Sequence, residues 1–152
     1  MCPAPELGAI SARQSAAVRS RIDLVLEAFV YEVSCETRFN ATHRLTRDGR
    51  PLEPLHGHDW HVEAVAAGAQ LDSAGLLIDF VLLKRALDEA AVTLNHTDLN
   101  ARREFASVSP SAEIVARHFF DEIVRRLGAS GGALSRVRVV EAPGCSATYA
   151  KS

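Results

Sequence analysis

From Tyr31 to Ala41 the chain alternates without a break, with Tyr31, Val33, Cys35, Thr37, Phe39 and Ala41 on one parity and Glu32, Ser34, Glu36, Arg38 and Asn40 on the other. Side chains on a strand repeat every two residues, so this run, opening near Phe29, reads as a half-buried strand with one dry face and one wet face. A dry sheet face needs a cover, and the rest of the chain supplies one. A turn-rich segment, Thr46 to Pro54, holds Asp48-Gly49 and two prolines. It leads into a second alternating run, Asp59 to Ala67, whose inner face carries Trp60, Val62 and Ala64.

The period then changes. Phe80, Leu83, Leu87, Ala90 and Leu94 make one helical stripe between Asp79 and Leu94, while Lys84, Arg85, Asp88 and Glu89 face away and Asp79 is placed to cap. A second helix is punctuated by Ser109 as N-cap, Pro110 at its first position, Glu113 near its positive end and Gly128 just past its last apolar residue. Val115, Phe119, Ile123 and Leu127 form its buried stripe. Gly128 to Ala133 reads as a loop, after which Val137, Val139 and Glu141 share one parity of a strand and Arg136, Arg138 and Val140 the other. Pro143-Gly144 turns the chain, and Cys145 to Ala150 pairs back. The expected fold class is α+β, in the order ββααββ, with no internal repeat.

At 152 residues and 47% hydrophobic, the chain can bury one core and not two. That core is assigned to residues 29–152. Residues 1–28 read as a flexible or helical N-terminal extension, although Arg13, Arg19 and Arg21, with no acid from Leu7 to Ile22, give it a bias that targeting peptides share. A formal net charge of −2 argues against nucleic acid as a partner. No apolar run approaches the roughly 20 residues that span a bilayer, so no membrane partner is expected. Cys2, Cys35 and Cys145 include no CxxC pair and fit neither a disulfide framework nor a zinc ribbon. A reducing cytoplasm suits them, with Cys35 and Cys145 read as small buried residues.

Chemistry enters with His56 and His58. They flank Gly57, point the same way on a strand and can reach one ion. Three neutral imidazoles with one open position form a recurring catalytic zinc shell, so a third histidine is sought. His61 is out of phase with His58, and His118 sits at the edge of the second helix's polar face; both read as ordinary surface or satisfied histidines. His43 ends the first strand on its inward parity, and residues 44 to 55 are enough chain to bring it beside His56, which makes it the best third ligand. Cys35 lies eight residues earlier, about 26 Å along an extended strand, and is out of reach. Glu141 faces inward near a strand end, either as half of a buried ion pair with an arginine or as an anchor for a ligand edge with paired N–H donors.

Phe39-Asn-Ala-Thr-His43, Leu55-His-Gly-His58, Gly75-Leu-Leu-Ile-Asp79-Phe80, Leu94-Asn-His96 with Leu99-Asn100, Pro110-Ser-Ala-Glu113 and the strand bearing Glu141 together resemble the 6-pyruvoyltetrahydropterin synthase and 6-carboxytetrahydropterin synthase family. The resemblance implies the tunnelling fold, a four-stranded antiparallel sheet with two helices, trimers closing barrels, and hexamers with sites between subunits. It implies zinc on His43, His56 and His58, a pterin ring held by Glu141 with Ser111 beside it, and His96 in proton relay. The implied substrate is 7,8-dihydroneopterin triphosphate.

Two positions depart from the family pattern. Leu52 stands four residues before His56, where the usual cysteine base belongs, and Asn95 stands where an aspartate usually precedes the relay histidine. Glu53, three residues before His56, instead resembles the glutamate-bearing ExxHGH branch that makes 6-hydroxymethyl-7,8-dihydropterin for folate synthesis. Retro-aldol side-chain cleavage with Glu53 as base is therefore the first expectation. 6-Carboxy-5,6,7,8-tetrahydropterin synthesis for queuosine is the alternative, and a non-catalytic pterin-binding module a further one. A cupin-like metal protein with Glu63 as ligand comes last, because Glu63 sits an odd number of residues from His58 and two amphipathic helices fit a small jelly roll poorly.

Overall fold

The computed structural model describes residues 30–152, so the expected extension at residues 1–28 lies outside them. The alternating run is β1 (Tyr31–His43), followed by a small hairpin of β2 (Thr46–Arg47) and β3 (Arg50–Pro51), then β4 (His56–Gly68). Helix α1 (Phe80–Leu94), the two-residue strand β5 (Thr97–Asp98), helix α2 (Ala112–Leu127), β6 (Leu134–Ala142) and β7 (Cys145–Ala150) complete the order. None of the described helices is long and apolar enough to cross a membrane.

The main sheet runs β5-β1-β4-β6-β7 and so has five strands rather than four. β1, β4, β6 and β7 are antiparallel neighbours, whereas β5 lies parallel to β1, pairing Ala41 with Thr97 and Thr42 with Asp98. The reason is local. After α1 the chain passes the open edge of β1 and satisfies main-chain groups there, and a two-residue strand has no hydrophobic alternation to announce it.

Both helices pack on the dry sheet face. Phe39 stacks on Trp60 with ring centroids 5.8 Å apart and meets Phe119 of α2 at 5.4 Å. Asp79 caps α1 as expected, its carboxylate accepting from the Val81 N–H at 2.7 Å. The buried face of α1 is Leu83, Ala86, Leu87, Ala90, Ala91 and Leu94. Phe80, assigned to the stripe, is instead 56% exposed at the first turn of α1, where its carbonyl accepts from Cys35 Sγ at 3.8 Å.

Other expectations shift at element ends. The N-cap of α2 is Ser111, not Ser109, and Pro110 precedes the helix rather than opening it. Ser109 Oγ accepts from the Thr46 N–H at 2.8 Å, tying the β2 strand down. Residues Gly128–Ala133 form a 3-10 helix rather than an open loop, and Gly128 takes the positive φ of 56° that ends α2. Cys35 is buried, which pushes its thiol up, whereas Cys145 is exposed beside the β6–β7 turn. Cys145 is thus not the buried residue expected.

The Phe119→Ala variant should lose about 3–5 kcal/mol of stability by denaturant titration, since its ring joins α2 to β1 at the centre of the core. Thiol labelling of native protein, mapped by peptide mass, should modify Cys145 and reach Cys35 only on unfolding; equal rates would contradict this packing.

Candidate metal centre

The β1–β4 register sets His43 directly opposite His56, and Ala41 opposite His58, so the three imidazoles collect where β1 ends and β4 begins. Ring centroids lie 4.8 Å apart for His43–His56, 5.3 Å for His43–His58 and 4.7 Å for His56–His58. Glu141, on β6 in line with Val137 and Val139, joins them. One ligand atom from each of His43, His56, His58 and Glu141 falls within 4.8 Å of the others.

Two proline carbonyls settle which ring nitrogens are free. His43 Nδ1 lies 2.8 Å from the Pro110 oxygen and His56 Nδ1 2.9 Å from the Pro54 oxygen. A carbonyl only accepts, so each Nδ1 carries the hydrogen and each neutral ring keeps its lone pair on Nε2. His43 Nε2 then faces Glu141 Oε1 at 2.8 Å, with His58 Nε2 at 3.4 Å from the same oxygen. Both Nε2 atoms are buried without a hydrogen-bond partner among the described residues. Lone pair against lone pair at that distance is repulsive unless a cation or a proton lies between them. Burial also pushes His58 below the ordinary histidine range, opposed by the Glu141 charge, and so favours the neutral ring. Three imidazole nitrogens and a carboxylate, two of them oriented from behind by carbonyls, fit a divalent ion of zinc type.

Glu141 is therefore among the group that could bind a metal, and among the described residues no arginine pairs with it. The residues set aside fall largely where parity put them. His61 is on the wet face, 3.1 Å from Glu36. Glu63 pairs in register with Glu36 on that face, away from the histidines, which removes the basis for a cupin-like shell. His118 is a correction: it packs on Phe105 with centroids 5.2 Å apart, its Nε2 is buried with no hydrogen-bond partner among the described residues, and burial pushes the ring down.

Glu53 lies at the base of the β2–β3 hairpin, where Leu52 N–H donates to the Leu45 carbonyl and Glu53 Oε1 accepts from the Leu45 N–H, both at 2.9 Å. Its charge still reaches His58, favouring the protonated ring there. Ser111 Oγ accepts from the Ile114 N–H at 3.5 Å as the cap of α2 and stands outside the four-residue group. His96 stands outside it too. It lines a separate cavity of about 320 Å³ with Asn40, Ala41, Thr42, Gly57, Thr97 and Asp98. Asn40, Thr42 and Gly57 have the parity opposite to His43, His56 and His58, and Ala41 the same parity, so the cavity lies at the edge of β1 and mainly on the other face of the strands from its own chain's histidines.

Sequence reasoning missed Pro54 and Pro110 as orienting groups. Pro54, two residues before His56, is local enough to have been found, whereas Pro110 reaches His43 across 67 positions that only the fold brings together.

Residues 32–152 match the family model described as 6-pyruvoyl tetrahydropterin synthase. A putative 6-carboxy-5,6,7,8-tetrahydropterin synthase of Archaeoglobus fulgidus is 29% identical over 72% of this chain and 86% of its own. The 6-carboxy-5,6,7,8-tetrahydropterin synthase of Bacillus subtilis is 27% identical over 62% of this chain and 66% of its own. Among solved structures, the Caenorhabditis elegans 6-pyruvoyl tetrahydropterin synthase aligns with a TM-score of 0.72 at 21% identity, over 82% of this chain and 97% of that one.

Alanine at His43 or His58 should lower zinc retained after equilibration and desalting by at least about tenfold, measured by elemental mass spectrometry. Full occupancy in either variant would sink the metal assignment.

Proposed function

The chain belongs to the 6-pyruvoyl tetrahydropterin synthase family, and from that membership we propose that it is a zinc-dependent lyase acting on 7,8-dihydroneopterin triphosphate. The observation that carries the reading is the convergence of His43, His56, His58 and Glu141 at one strand end, with two rings fixed so that Nε2 is free. A bound zinc ion would polarise side-chain oxygens of the substrate. Glu141 Oε1 faces the histidines, and we assign its other oxygen to the N–H edge of the pterin ring, paired as carboxylates pair with adjacent donors. Ser111 is assigned to the same ring's surroundings.

His96 in proton relay requires a second copy, because the strands separate it from the histidines of its own chain. A trimer-based assembly, hexameric in full, with sites between subunits would bring one copy's His96 to another's metal.

Relatives named 6-carboxy-5,6,7,8-tetrahydropterin synthase favour that compound as product, so this reading comes first and reverses the order expected from sequence. Glu53 favours a second reading. Leu52 supplies no thiol, while the Glu53 carboxylate is held at the hairpin base by the Leu45 N–H, three residues before His56. A carboxylate there can take a hydroxyl proton from the substrate side chain as the neighbouring carbon–carbon bond breaks; the outer two carbons leave as an aldehyde carrying the triphosphate, and the electron pair left on the ring-side carbon takes up a proton to give 6-hydroxymethyl-7,8-dihydropterin.

Zinc-loaded protein incubated with 7,8-dihydroneopterin triphosphate should yield a product whose mass separates the two: 6-carboxytetrahydropterin for the first reading, 6-hydroxymethyldihydropterin for the second. No turnover would leave a pterin-binding module. Under the second reading Glu53→Gln should lower kcat by about 100-fold or more, and wild-type turnover in that variant would exclude Glu53 as the base. Glu141→Ala should weaken binding of dihydroneopterin by about tenfold or more in a fluorescence titration, and unchanged affinity would remove its anchoring role.

A further inference from the structure

Among the described residues only Asp48 and His96 have a positive φ without being glycine. Asp48 sits with Gly49 at a hairpin tip, where such angles are routine. His96, at φ 57°, follows the end of α1, a place glycine usually takes because it has no Cβ to strain. In the usual helix ending, the N–H at this position turns back to the helix. Here it donates to the Asn40 carbonyl of β1 at 2.6 Å.

Asn95 completes the attachment. Its Oδ1 accepts from the Asn40 N–H at 2.8 Å, while its own N–H closes the helix on the Ala91 carbonyl at 3.0 Å. Consecutive residues thus take both main-chain groups of Asn40, one through a side-chain amide and one through the backbone. Directly after them, Thr97 and Asp98 pair with Ala41 and Thr42. The Asn95 amide oxygen stands in for a main-chain carbonyl and adds one rung to β5. The Asn40 side chain is occupied as well, by Asp59.

We infer that Asn95 is a positioning residue that fixes His96 on the edge of β1 through its bond to the Asn40 N–H, and that the position works through an acceptor oxygen rather than through negative charge. This rests on the reading of His96 as a proton-relay group. A neutral amide gives the needed acceptor without setting another carboxylate against Asn40, which Asp59 already contacts. The oxygen bonded to Asn40 is directed at the main chain and not at the imidazole.

The test compares Asn95→Ala and Asn95→Asp in the full, zinc-loaded chain. Alanine removes the acceptor: exchange of the Asn40 amide with deuterium should quicken by at least about tenfold, and the His96 ring resonances should move toward those of a free imidazole. kcat should fall by about tenfold to a hundredfold with KM changed less than about threefold and zinc retained. Aspartate keeps an acceptor oxygen and should hold Asn40 protection and kcat within about threefold of wild type. Unchanged Asn40 exchange and ring resonances in Asn95→Ala would overturn the inference, as would an aspartate variant at least about tenfold faster than wild type. If the alanine variant fails to fold, Asn95→Asp alone decides between acceptor and charge. If exchange and ring shifts respond while no pterin turns over in any form, positioning stands and the relay reading fails.

Discussion

One rung of the sheet governs the site. Pairing His43 with His56 closes the β1–β4 ladder, and the same pairing brings the first two imidazoles together. Because strand side chains repeat every two residues, a slip of one position would send His56 and His58 to the wet face together with the whole inner row of β4. The core therefore guards the metal-binding geometry. Phe39 stacked on Trp60 fixes the register four residues from His43, and Trp60 Nε1 donates to the Ala41 carbonyl at 3.3 Å, next to that rung.

Around the rung, α2 does more than cover the sheet. Pro110, just before the helix, offers its carbonyl to His43, and Ser109 holds the chain that follows β1. Proline has no N–H of its own to place there, yet its carbonyl is free to accept, and Ser111 takes over the capping role instead. The shift of the cap by two residues thus reflects Ser109 and Pro110 being engaged with the end of β1.

The legible parts of this structure are those with a period. β1, β4 and β6 showed in alternation, α1 and α2 in their stripes, and the inward placement of His43, His56, His58 and Glu141 in simple parity. What stayed hidden has no periodic signal. β5 is two residues long, Phe80 is turned outward by its place at a helix start, and Cys145 is exposed near a turn. Parity turns Glu141 inward, but its approach to His43 depends on how β6 sits beside β4, a tertiary fact that strand parity alone does not contain.

Gly57 carries a consequence of its own. It lines the cavity that holds His96 while its neighbours His56 and His58 turn to the opposite side, so only one thickness of main chain divides that cavity from the histidine cluster. A Cβ at Gly57 would meet only ordinary neighbours, Thr42 Cγ2 at 3.5 Å and the Ala41 oxygen at 3.9 Å. The chain thus has room for a side chain there, on the parity opposite to the imidazoles. The strand acts as a party wall, and position 57 belongs to its His96 side while the residues on either side of it belong to the histidine cluster.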